Sequence, residues 1–278
     1  MTGAGSRWLR TLLCAYCCAV LPLSAQPALA APELGMPALV LKPGEGLALA
    51  IEGGDIRTFG EARAVTPMGG LAKLVWLRME GATWSSGGVK FRCAGAAGSL
   101  ACGGAPGHGT VTLAKALQED CDLAFLAWIS GAQGHWLQDY GPEVARYRLQ
   151  EVFEPFLGRR LPAGQGLPAF TAPWVGDGDL LRTSPEAFLR WLLQPENAEV
   201  AGFGRRLLAG YWAEVNVLLG RENWWFKTAL ARVPGEPSVT SAWVAGGRGS
   251  TLLVFRAPPG TSRPAALARL RELLGLKP

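Results

Sequence analysis

The sequence is poor in charge, in histidine and in long apolar runs. Charged residues make up 18% of its 278 positions, and the net charge is only +5. Two of those positive charges, Arg7 and Arg10, lie in the first ten residues. No block of like charges occurs, so the chain lacks the basic stripe that a nucleic-acid partner needs. The N-terminal apolar run, residues 12–23, is too short to cross a bilayer comfortably. Histidine occurs only at His108 and His135. No internal repeat and no low-complexity tract is present, which excludes solenoid architectures.

What is there suffices for a folded body. Hydrophobic residues reach 49%, enough for a sizeable core, and the length suits one large domain or two small ones. Arg7 and Arg10, the apolar run and the small residues of Ala28-Leu29-Ala30 together predict a signal peptide over residues 1–30. The mature domain is then 31–278, periplasmic or otherwise extracytoplasmic, touching a membrane only through its leader. Cys14 lacks the small residues before it that a lipoprotein site requires. Cys14, Cys17 and Cys18 belong to the leader, leaving Cys93, Cys102 and Cys121. Cys93 and Cys102 flank a Gly/Ala-rich stretch, and the expectation is a disulfide between them. A zinc site is the sharper alternative, but only His108 lies nearby and that ligand set is incomplete. Cys121 is then an odd, buried thiol. Neither a metal nor a cofactor is expected.

Along the chain, residues 38–41 and 47–51 read as two strands around the turn Pro43-Gly44-Glu45-Gly46. Residues 71–80 read as a helix and 82–110 as glycine-rich loop, with Ser85, Ser86 and Ser99 as loop hydroxyls. Thr110 or Thr112 can cap a helix through Leu113 and Leu117. A further helical stretch covers 123–129, and 131–181 looks mostly irregular. Thr183-Ser184-Pro185-Glu186 opens a helix to about Leu193, with another over about 198–212. Three strands follow, 224–233, 239–245 and 251–257, with turns at Pro234-Gly235 and Gly246-Gly247. Thr261-Ser262 opens a last helix with Leu267, Leu270, Leu273 and Leu274 on one side. The pattern predicts an α/β fold of the α+β type, in which one largely antiparallel sheet collects strands from both ends of the chain.

Three segments carry the chemistry. Pro67-Met68-Gly69-Gly70-Leu71-Ala72-Lys73 resembles a P-x-G-S-x-x-K segment with Gly70 at the serine position. Cys93, Cys102, Gly107-His108-Gly109 and Asp120-Cys121-Asp122-Leu123-Ala124-Phe125 resemble a path through Cys, G-H-G and S-C-N-x-x-F. Trp225-Phe226-Lys227-Thr228-Ala229 resembles a K-T-G strand. In this order, over about residues 36–258, the chain resembles the superfamily of penicillin-binding transpeptidases and class D β-lactamases. The resemblance implies an α-helical lobe beside a helix-covered antiparallel sheet, with the cleft between them. It implies that Gly70 replaces the nucleophile, so no acyl-enzyme can form there. Asp120 stands at the second motif's serine and Asp122 at its amide. Lys73 then reads better as one end of an ion pair with Asp120 than as a relic base. Lys227 and Thr228 could bind a carboxylate or form a solvated strand edge, and Ala229 adds a methyl where glycine admits substrate backbone.

The function expected is a noncatalytic binding or scaffold module of the cell envelope. Its partner would be a peptidoglycan stem peptide or an envelope protein, and not a nucleic acid. The alternatives are an active acyltransferase or β-lactamase with a substitute nucleophile, for which Cys121 is a candidate, and a structural partner with a closed cleft.

Overall fold

The computed structural model describes residues 39–51, 54–86, 90–97, 100–102, 107–157, 161, 167–208 and 224–275. The expected signal peptide and Ser99 lie outside the described residues. In chain order the elements are β1 (Gly46–Ala50), β2 (Ile56–Gly60), β3 (Thr66–Pro67), α1 (Ala72–Ser86), β4 (Lys90–Cys93), β5 (Ala96–Ala97), β6 (Leu100–Ala101), β7 (Gly109–Thr112), α2 (Leu113–Gln118), α3 (Asp122–Phe153), β8 (Arg182–Thr183), α4 (Pro185–Leu193), α5 (Ala198–Leu208), β9 (Trp225–Val233), β10 (Glu236–Arg248), β11 (Thr251–Pro259) and α6 (Arg263–Leu273).

Five strands form one antiparallel sheet in the order β2-β1-β11-β10-β9, so strands from both ends of the chain do meet. β1 lies inside it, paired on both sides and buried throughout, which is why it reads as an unbroken apolar run. One sheet face carries Leu47, Leu49, Phe226, Val244, Leu253 and Phe255 and is covered by Leu267, Leu270 and Leu273 of α6. The other carries Ala48, Trp225, Ala229, Trp243 and Val254 and packs on the helical lobe through Val75, Leu189 and Val200. Side chains alternate along a strand, so Lys227 falls on the lobe side with Trp225 and Ala229.

The lobe is built on aromatic packing. Trp76 of α1 has the rings of Phe153 at 4.6 Å and Phe170 at 5.3 Å. Its indole nitrogen donates to the Trp174 carbonyl at 2.7 Å, which fixes the rotation of α1. The start of the chemistry-bearing turn is held by the short β3–β8 pair, Thr66 opposite Thr183. Three helix starts follow local sequence signals. Thr112 accepts from the Lys115 amide at α2, Ser184 from Ala187 at α4 and Ser262 from Ala265 at α6.

Four expectations are corrected. The N-terminal strand pair is β1 with β2: of the strand expected over 38–41, residues 39–41 are not strand, and residue 38 lies outside the described residues. The Glu45 carboxylate binds the Lys42 amide at 2.7 Å and Arg269 at 2.8 Å, holding that stretch as a turn. Leu39 and Leu41 pack beside the α6-side core instead. Residues 82–110 are not one loop, since α1 runs to Ser86 and β4 pairs with β7 around the small β5–β6 hairpin. Residues 131–153 are helical, with Gly131 and Gly134 inside α3. The only break falls at Gly141 (φ 74), just before Pro142. Finally, Gly246-Gly247 lies within β10, and the turn follows at Gly249. A Cβ at Gly246 would strike the Phe226 ring and one at Gly247 the Leu252 side chain, so those glycines serve close packing. The helix expected over 198–212 is described to Leu208.

Candidate functional site

The three motif segments meet between the sheet and the helical lobe. Gly69–Leu71 forms a 3-10 turn that feeds α1 and puts Lys73 in the first helical turn. Asp120 and Cys121 link α2 to α3, with Asp122 as the first residue of α3. β9 supplies Lys227, opposite Ala245, and Ala229, opposite Trp243.

Asp120 is the centre of this arrangement. Its Oδ1 accepts from Lys73 Nζ at 2.8 Å and from Lys227 Nζ at 2.6 Å. Lys73 also donates to Asp122 Oδ1, and Lys227 to the Thr228 carbonyl. Both lysine side chains are buried, while the carboxylates keep partial solvent contact. The predicted Lys73–Asp120 ion pair therefore forms, but as part of a quartet of two ammonium groups and two carboxylates with no net charge. The sharing of one oxygen by Lys227 was not foreseen from the sequence. The charge balance of Lys73, Asp120, Asp122 and Lys227 was the signal that could have suggested it. Lys227 and Thr228 are buried rather than solvated.

The backbone at Asp120 is held in an unusual conformation. At φ 58 it is the one non-glycine residue in the left-handed region among the described residues. Aspartate tolerates this better than most residues, and here two ammonium groups grip its side chain. The carboxylate is thereby aimed at Gly70. A Cβ at position 70 would fall against the Asp120 carboxylate, nearer than packed atoms approach. The space a side chain at position 70 would use is filled by Asp120.

The electrostatics follow from burial opposed by pairing. Burial works against the charge on Lys73, but Asp120 and Asp122 more than offset it and raise its pKa well above the usual lysine range. Burial also penalises the Asp120 charge, yet Lys227 and Lys73 together hold its carboxyl far below the ordinary value. Asp122 is pushed up, first by burial and then by Asp120, against the pull of Lys73. Lys227 is pushed down to about 8 by burial, with Lys73 adding to the shift and Asp120 opposing it. A base is not available at Lys73 in this state, because its proton is held by two carboxylates.

The expected Cys93–Cys102 disulfide is absent: Cys93, Cys102 and Cys121 are all free and buried. Cys102 Sγ lies 3.5 Å from Cys121 Sγ and 3.2 Å from His108 Nδ1. The sulfur contact with Cys121, opposed by burial and helped by His108, holds the Cys102 thiol down at about 5. His108 is therefore more than a loop residue, whereas His135 is exposed on α3. Ser85 and Ser86 lie at the end of α1 rather than on a loop.

No protein-family model and no curated protein matches the chain. Solved structures do. The class D β-lactamase FUS-1 (OXA-85) of Fusobacterium nucleatum subsp. polymorphum aligns at TM-score 0.53 and 12% identity, over 83% of this chain and 91% of that one. The C-terminal domain of the Bacillus licheniformis BlaR penicillin-receptor aligns at TM-score 0.53 and 11% identity, over 84% and 92%. The fold is β-lactamase-like. Its antiparallel sheet, helical lobe and the seam between them agree with the architecture expected from the sequence.

In this β-lactamase-like chain the seam holds an ion quartet, and that has a pH signature. An unfolded lysine titrates at 10.5, whereas folded Lys227 titrates at about 8. Between those values the unfolded chain holds the proton and the folded chain does not, so stability rises with pH. Below pH 8 the cost of the buried charge is fully present. Lys73 acts in the opposite sense, but only once the pH exceeds the ordinary lysine value of 10.5. In urea melts, the stability difference between the protein and Lys227→Met is expected to grow from pH 8 to 10.5. A difference that stays flat would contradict this assignment.

Proposed function

We propose that the chain is an exported, noncatalytic member of the penicillin-binding transpeptidase superfamily, acting as a binding or scaffold module in the cell envelope. One observation carries the reading. Position 70 offers no nucleophile, and the space beside it is taken by a carboxylate bound to both motif lysines. Acyl transfer needs an activated nucleophile and a free base. Here the first is missing and the second is neutralised. Cys121 is a poor substitute, because it is fully buried and its sulfur faces Cys102.

Lys227 already holds a carboxylate, supplied by the protein itself. A carboxylate ligand at Lys227 and Thr228 would have to displace Asp120. The partner class in this reading is a peptidoglycan stem peptide or another envelope protein, met in the periplasm or an equivalent compartment after removal of residues 1–30.

Incubation with a fluorescent penicillin, followed by a denaturing gel, is expected to leave no labelled band. A band that survives denaturation would overturn the noncatalytic reading. Soluble stem peptide at millimolar concentration separates the partner classes, since ligand binding to the folded state raises Tm by mass action. A rise in Tm favours the peptide, and an unchanged Tm favours a protein partner.

A further inference from the structure

Beside the ion quartet, four side chains with metal-binding chemistry converge. Cys93 ends β4, Cys102 follows β6, His108 precedes β7 and Cys121 caps α3. One ligand atom from each lies within 4.8 Å of every other. We propose that Cys93, Cys102, His108 and Cys121 form a structural zinc site of the Cys3His type. This assignment is independent of the proposed envelope function.

The separations carry the argument. A tetrahedral zinc with Zn–S of ~2.3 Å and Zn–N of ~2.0 Å has ligand atoms roughly 3.5–3.8 Å apart. The observed 3.5 Å between Cys102 and Cys121 sulfurs and 3.2 Å from Cys102 Sγ to His108 Nδ1 lie near those edges. A disulfide would bring two sulfurs to about 2.05 Å and strand the third thiol and the imidazole. Three sulfurs and one imidazole select zinc over magnesium or calcium, which prefer oxygen. Four protein ligands, three of them buried cysteines, leave no open position for substrate, so the site holds structure rather than performing chemistry.

The surroundings fit a metal as well. His108 presents Nδ1 to the cluster and turns Nε2 toward Glu119 Oε2, 3.7 Å away. A carboxylate behind the other ring nitrogen orients a ligating histidine. The paired strands β4 and β7 are thinly buried. Their eight residues bury fully only Cys93 and Val111. Short strand pairs of this kind are marginal alone, and a metal would tie this one to the start of α3. Cys121 sits between Asp120 and Asp122, so the same metal would also fix the backbone that carries both carboxylates of the quartet.

The test uses the full chain, purified without chelator, with reductant for the metal measurements and without it for the disulfide assay. Elemental analysis by plasma mass spectrometry is expected to find about one zinc per chain. Cobalt substitution should give the visible bands of a tetrahedral thiolate site. Stripping with a chelator should lower Tm by about 10 °C or more. Cys102→Ser and Cys121→Ser should lose most of the zinc. His108→Cys preserves four ligands and should keep it, which guards against variants that simply fail to fold. The proposal is overturned if the unaltered chain carries no zinc and no tetrahedral cobalt spectrum, or if mass spectrometry finds two of the three cysteines already joined as a disulfide. Equal zinc in Cys102→Ser would overturn it too.

Discussion

Asp120→Asn is expected to lower stability by about 3–5 kcal/mol, because it leaves buried ammonium groups without their shared counter-charge. Lys73 keeps Asp122, but Lys227 loses the one carboxylate the structure gives it. The asparagine also inherits the left-handed backbone at φ 58, a conformation it tolerates, so the loss reports charge rather than strain. Urea denaturation should show an earlier midpoint. The double change Asp120→Asn with Lys227→Met should recover part of the loss, since it removes the stranded charge together with its partner. Contacting groups of this kind couple non-additively. A cost for Asp120→Asn of less than about 1 kcal/mol would mean that the quartet does not act as one electrostatic unit.

Gly70→Ser, the change that restores a hydroxyl at the first motif, is expected to leave the protein unlabelled by fluorescent penicillin. The new Cβ would meet the Asp120 carboxylate, and that carboxylate cannot retreat without breaking from two lysines. Overpacking of a filled site costs about 1–3 kcal/mol, so a lowered Tm should accompany the missing band. Gly70→Ser with Asp120→Ser removes the obstruction and frees Lys73 from one of its two carboxylates. Labelling of the double variant alone would place the block at Asp120. Labelling of the single variant would refute the steric argument.

Local signals were the most legible part of the sequence. The Ser184–Pro185 start of α4 needs only a capping hydroxyl and a proline, and both act within one turn. The three C-terminal strands were legible because each is an apolar, β-branched and aromatic run, and Pro234-Gly235 separates the first two. Where glycine misled, packing was the reason. Gly131 and Gly134 read as loop but sit within α3, whose other face is buried by Trp128 and Trp136. Gly246 and Gly247 read as a turn, but Gly246 answers to Phe226 on the neighbouring strand β9, and Gly247 to Leu252 just across the β10–β11 turn. The site divides in the same way. Motif spacing brought Lys73 and Asp120 together on paper, whereas the position of Lys227 depends on strand register, which pairs β9 with β10. The cysteine cluster was read as a pair because Cys121 lies beyond a helix from the other ligands, and only the β4–β7 fold brings it close.

The place of β1 in the sheet has a consequence for how the chain acquires its structure. Gly46 finds its partner in Arg256, so the ends of a segment of about 200 residues must meet before the sheet can close. Contacts this distant slow folding, while the helices of the lobe draw on near neighbours. Until residues 251–259 arrive, the Gly46–Ala50 strand has an open edge and two apolar faces, the form in which chains pair with the wrong partner. A chain truncated before β11 would therefore be an aggregating species rather than a smaller version of the fold.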